Sequence, residues 1–155
     1  MSPFADKLIK LKTDEFSPPK NDLDVIEKLA NGRCLDLGTG AGASLGAMLR
    51  SKNVTSVYSL ESDLDWFIKP YEDERVTYAL HYSDKILVPE LFDFVFIDNF
   101  TLRDRIYCAD FFKLDGVETL IHDARLTRYI PVGFHEHYFS EEGFLHYTPK
   151  KCEIC

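Results

Sequence analysis

The sequence predicts an α/β domain with a mostly parallel sheet, on three observations. From residue 22 onward, short apolar runs alternate with helical stretches. That alternation lays strands side by side with crossover helices on both faces. One run, "LFDFVFID" at 91–98, is apolar almost without a break, as in a central strand covered on both sides. Near the C-terminus, "VGFHEHYFS" and "FLHYTPKKC" are β-leaning and split by "EEG". That spacing makes a hairpin, so five parallel strands are closed by an antiparallel pair.

The elements follow in order. "TDEFSPPKND", 13–22, carries two prolines and reads as a loop. It divides an N-terminal segment, 1–21, from a single domain, 22–155. "DLDVIEKLA" sets Leu23, Ile26, Leu29 and Ala30 at helical spacing, with Asn31-Gly32 as the stop. "RCLDLGT" (33–39) is a buried strand and "SLGAMLRSK" (44–52) a helix. "TSVYSLES" (55–62) is the second strand, and "DLDWFIK" (63–69) a short helix stopped at Pro70. "RVTYAL" (75–80) and residues 91–98 are the third and fourth strands. "LRDRIYCADFFK" (102–113) is a helix whose inner face is Leu102, Ile106, Ala109 and Phe112. "VETLIHD" (117–123) is the fifth strand.

Length and charge narrow the function. A chain of 155 residues accommodates one well-packed domain. Its formal charge of −8 opposes attraction to nucleic acid or an anionic membrane, and "PKK" at 149–151 is the one compact basic patch. No apolar stretch reaches the roughly 20 residues of a membrane helix. The first residues mix charges and lack the apolar centre of a signal peptide, so the cytoplasm is the expected compartment. Cys34 and Cys108 fall in structured segments and read as small buried hydrophobes. Cys152 and Cys155 form a terminal CxxC with His135, His137 and His146 upstream. No second pair has zinc-ligand spacing, and a reduced tail is the better reading.

The chemistry centres on "CLDLGTGAG", 34–42, which places three of the chain's 8 glycines within five residues. In an open α/β sheet, ligands bind beyond the carboxyl ends of the strands near the switch in strand order. A loop leaving the first strand there must turn sharply and let a ligand approach its backbone, and glycine permits both. The helix that starts near Ser44 adds free N–H groups. A dinucleotide site would use GxGxxG, whereas the third glycine here comes one position early, at Gly42.

Together with the strand pattern, "LDLGTGAG" resembles the acidic-x-Gly-x-Gly-x-Gly motif of class I S-adenosylmethionine-dependent methyltransferases. The match falls on Asp36, Gly38, Gly40 and Gly42, and the likeness extends over roughly residues 22–150. It implies a Rossmann-like, seven-stranded, mostly parallel sheet with helices on both faces and a C-terminal antiparallel hairpin. The implied cofactor is S-adenosylmethionine, held by Asp36, Gly38, Thr39, Gly40 and Gly42. Glu61, ending the second strand, would accept from both ribose hydroxyls. In "LHYSD" (80–84), Ser83 and Asp84 would meet the adenine, with His81 or Tyr82 flanking the ring.

For the acceptor, the resemblance points to small-molecule O-methyltransferases. The Asn/Asp-Pro-Pro-aromatic signature of base methylation is absent. Asp98 and Asn99 end the fourth strand, where sulfonium and acceptor meet in many relatives, so Asp98 counts for cofactor and catalysis alike. His122 and Asp123 follow the fifth strand and complete the catalytic candidates. Some relatives hold a divalent cation such as magnesium between two such acids, here Asp98 and Asp123. Ala124 stands where the catechol-type pattern has Asn, and Asp115-Gly116 where the broader group has two glycines. The seven strands use almost the whole chain, so the acceptor would rest on residues 1–21 and a partner subunit, which leaves room for a homo-oligomer. The expected function is in-line methyl transfer to a small-molecule hydroxyl. The alternatives are a non-catalytic module of the same fold, an NAD-linked enzyme, and another use of S-adenosylmethionine.

Overall fold

The computed structural model describes residues 20–63, 67, 69–80, 91–98, 101–126, 130–137 and 143–149. His81, Tyr82, Ser83, Asp84, Asn99, Cys152 and Cys155 lie outside these residues, as does most of the N-terminal segment.

In chain order the elements are helix α1 (Lys20–Leu29), β1 (Gly32–Leu37), α2 (Ala43–Arg50), β2 (Val54–Glu61), β3 (Val76–Leu80), β4 (Phe94–Ile97), α3 (Leu102–Leu114), β5 (Glu118–His122), a 3₁₀ turn (Ala124–Leu126), β6 (His135–His137) and β7 (Phe144–Tyr147). Seven strands form one sheet in the order β3-β2-β1-β4-β5-β7-β6. The first five are parallel, while β7 runs antiparallel to both β5 and β6. The fold class expected from the sequence is the one observed.

Two local expectations change. The helix α1 already runs from Lys20, so the loop expected over 13–22 gives way before Asp22. Asp63, Phe67 and Lys69 are not helical, and the other residues of the short helix expected over 63–69 lie outside the described set.

The sheet's period of two divides the core. Leu35, Leu37, Val95, Ile97 and Ile121 face α3, packed with Cys108, Ala109 and Phe112. Cys34, Phe94, Phe96 and Leu120 face the other way, onto Ile26 of α1, Ala30 just after it, and Leu45 and Met48 of α2. Cys34 and Cys108 are buried free thiols, and burial pushes the Cys34 thiol up to about 12. Both act as small hydrophobes, as the sequence suggests.

Register then sets the site. Leu37 of β1 lies opposite Leu60 of β2 and Ile97 of β4, and Ile97 opposite Ile121 of β5. The glycine loop, Glu61, Asp98 and His122 therefore leave the sheet along one edge. The chain order reverses between β1 and β4, the switch point at which open α/β sheets bind ligands.

Candidate functional site

Beneath the glycine loop lies a buried polar chain. Asp36, wholly buried, accepts hydrogen bonds from Ser44 Oγ at 2.8 Å and Ser59 Oγ at 2.7 Å. Thr39 Oγ1 meets Ser59 Oγ at 2.7 Å, so Thr39 points inward to this chain. Burial pushes the Asp36 carboxyl up to about 7, against the pull of the two serines. Asp36 thus fastens the start of α2 to β2 beneath the loop.

The loop is tied to β2 from above as well. Gly38 N–H donates to Leu60 O at 2.8 Å, and Gly40 N–H to Glu61 Oε2 at 2.9 Å. Glu61 Oε1 accepts from Ser62 N at 2.8 Å and Asp63 N at 3.1 Å. A carboxylate oxygen accepts about two hydrogen bonds, which leaves one place on Oε2.

The glycines of the motif differ in what surrounds them. Gly42 has φ 86°, and a Cβ there would strike the ring of Pro70. It is bare so that residues 70–71 can lie across the start of α2, where Tyr71 also covers Gly46. Gly40 has φ 48°, and a Cβ there would meet nothing nearer than Gly38 O at 4.0 Å. Open space therefore lies at Gly40, while Gly42 serves packing. The loop thus leaves open space at Gly40 beside a remaining acceptor place on Glu61.

The catalytic candidates converge at the ends of β4 and β5. His122 Nδ1 lies 3.3 Å from Asp98 Oδ1 and 3.3 Å from Asp123 Oδ1. Burial disfavours the charged imidazole, but the contact with Asp98, its charge and that of Asp123 raise the His122 pKa, with Arg105 opposing. Asp123 has φ 55°, the one positive φ outside glycine among the described residues. That left-handed conformation, which Asp tolerates better than most residues, turns its carboxylate onto the cluster.

Two members of the cluster were missed in the sequence. Arg105 of α3 donates from Nη1 to Asp123 Oδ2 at 2.9 Å and to the His122 carbonyl at 3.0 Å. Its Nη2 lies 3.0 Å from Asp98 Oδ1. Asp22 of α1, with no exposed surface, brings Oδ2 within 3.8 Å of His122 Nε2. Both had a signal. Asp22 falls on the stripe of Ile26 and Ala30, and Arg105 on that of Cys108, Ala109 and Phe112, the buried face of α3. Ile106, expected on that face, is only half-buried. A charge on a buried stripe requires an opposite charge facing it.

Whether a divalent ion fits can be judged from these contacts. Asp98, His122 and Asp123 offer ligand atoms within 4.8 Å of one another, the one such group among the described residues. The spacing would suit an ion, but the charge does not. Arg105 already bonds both carboxylates, and Ala124 is buried in the core with no side-chain oxygen to offer. The residues present do not fit magnesium, which takes about six oxygens in a strict octahedron. His137 and His146, near the C-terminus, make contacts of their own. His146 Nε2 sits 3.0 Å from Glu118 Oε1, and the His137 and His146 rings are 5.5 Å apart.

No family model and no curated protein matches the sequence. Solved structures do match the fold. The SAH-bound methyltransferase PaMTH1 of Podospora anserina superposes with a TM-score of 0.66 at 13% identity, over 97% of this chain and 89% of that one. A protein assigned as an O-methyltransferase from Klebsiella pneumoniae gives 0.61 at 16% identity, over 96% and 90%. A protein assigned as a caffeoyl-CoA O-methyltransferase from Staphylococcus aureus gives 0.64 at 13%, over 94% and 91%. With its strand order and its glycine loop at the switch point, the chain has the class I S-adenosylmethionine-dependent methyltransferase fold.

Proposed function

We propose that the chain is an S-adenosylmethionine-dependent methyltransferase acting on a hydroxyl of a small molecule. The observation that carries this reading is the union of Glu61 with the Gly40 N–H at the switch point, 2.9 Å apart, beside an open cradle. The SAH-bound relative of the same fold supports the cofactor, and the O-methyltransferase assignments of two others support the acceptor class. The charge of −8 argues against nucleic acid as the acceptor.

S-adenosylmethionine, when bound, supplies a methyl group already activated on its sulfonium. The chain's task is therefore chiefly alignment. The backbone at Gly38 and Gly40 receives the ligand, and Glu61 Oε2 takes a ribose hydroxyl into its remaining acceptor place. Asp98, at the end of β4, faces the acceptor. His122 takes the hydroxyl proton, and Asp98 and Asp123, each 3.3 Å from its Nδ1, stabilise the imidazolium that results.

Labelled methyl transfer to a panel of small hydroxyl compounds tests this. The His122 pKa lies above the ordinary 6.5, and only neutral imidazole accepts a proton. The rate should therefore climb with pH through a midpoint above that value. His122→Asn should remove this limb and lower kcat by about a hundredfold or more.

A second reading, a module that binds S-adenosylmethionine without turnover, is favoured by one observation. Asp98 and Asp123 are already joined to Arg105 and His122. It expects cofactor binding, no transfer across the panel, and no effect of Asp98→Asn.

A further inference from the structure

We infer that the guanidinium of Arg105 is the resident cation of the Asp98–Asp123 pair, standing where a divalent ion would bind, so that this site works without metal. The inference concerns the charge of the cluster and does not need methyl transfer to hold.

Four observations converge on it. The guanidinium touches both carboxylates, Asp98 Oδ1 at 3.0 Å and Asp123 Oδ2 at 2.9 Å. It spans the gap between the ends of two neighbouring strands, as a bridging ion would. It is also fixed in place: its side chain is only 10% exposed, and Nη1 also bonds the His122 main-chain carbonyl at 3.0 Å. That carbonyl belongs to β5, so the guanidinium is anchored to the sheet as well as to the acids. Third, the backbone of Asp123 is held at φ 55° with its carboxylate on Arg105. Last, Arg105 projects from the buried stripe of α3 beside Cys108 and Ala109, so the helix that covers the sheet also delivers the cation.

The electrostatics then work against a metal. A doubly charged ion between Asp98 and Asp123 would meet a positive charge already bonded to both. Expelling the guanidinium would leave a buried cation without its acids, a strongly unfavourable outcome. A guanidinium also differs from an ion in what it does to the acids. It orients them through fixed N–H directions and has no open coordination position to offer an acceptor oxygen. Arg105 is thus a positioning residue. It fixes the two carboxylates between which His122 Nδ1 sits, and leaves proton removal to the imidazole.

The test is a Mn²⁺ titration of the full chain, with free ion read by electron paramagnetic resonance. The wild type should take up no stoichiometric Mn²⁺. Arg105→Met should gain one site, at least about tenfold tighter than any wild-type binding, and Arg105→Met/Asp123→Asn should lose it. Arg105→Lys, which keeps the charge, should behave as the wild type. One equivalent of Mn²⁺ on the wild type, abolished by Asp123→Asn, would overturn the inference. So would a folded Arg105→Met chain that gains no site. If Arg105→Met does not fold, the wild-type titration and Arg105→Lys still decide. Any methyl transfer should persist in excess chelator, and its loss there counts against the inference. A chain with no transfer at all bears on the proposed function and leaves the Mn²⁺ result standing.

Discussion

Asp36 is wholly buried against the hydroxyls of Ser44 and Ser59, and its carboxyl is pushed up from 3.8 to about 7. Between those two values the folded chain holds a proton that the unfolded chain has released. Stability from this residue is therefore greatest at low pH, falls as pH rises through the window, and levels off above about 7. At about 1.4 kcal/mol per unit the loss is on the order of 4 kcal/mol at most. Asp36→Asn keeps partners for both serines and removes the titration. Urea denaturation at about pH 5 and about pH 8 should show the wild type losing more stability than the variant across that interval. Equal losses in the two chains would contradict the burial account. The same residue shows what a sequence yields and what it withholds. Its place in the motif is legible; that it grips two serines beneath the loop depends on tertiary contact.

The elements were largely legible, and the failures have identifiable physical causes. Strands and their order of appearance follow from period and from apolar runs, and the C-terminal hairpin from its short connection. The inner stripes of the helices follow from apolar residues alone in the sequence, and those pass over the buried Asp22 and Arg105. In α3 that shifted the inner stripe away from Arg105 and Cys108, both buried, toward the half-buried Ile106. The positive φ of Asp123 leaves no pattern in the sequence at all. The glycines of the motif differ in surroundings, Gly42 packed against Pro70 and Gly40 open. Gly42→Ala should cost about 2 kcal/mol or more, because φ 86° is strained and Pro70 is in the way. Gly40→Ala should cost only about 1–2 kcal/mol for its left-handed backbone, but should weaken ligand binding through the lost open space. Denaturant midpoints alongside ligand titrations separate the two. A Gly42→Ala chain as stable as the wild type would refute the division.

At the scale of the molecule, one edge of a seven-stranded sheet gathers the residues that the proposed chemistry would use. The glycine loop, Glu61, Asp98 and His122 leave the carboxyl ends of β1, β2, β4 and β5 side by side because the register aligns those ends. None of the described helices is long and apolar enough to cross a membrane. Two features share the edge: the proposed cradle at Gly40 and Glu61, and a charge cluster in which Arg105 bonds both acids. The central claim is that the cradle takes S-adenosylmethionine. Isothermal calorimetry with S-adenosylmethionine and S-adenosylhomocysteine on the wild type and Glu61→Ala tests it most directly. The account predicts one site for each ligand on the wild type, weakened by about tenfold or more in Glu61→Ala, as for loss of a charged hydrogen bond. No heat from either ligand at millimolar concentration, or equal affinity in the two chains, would contradict it.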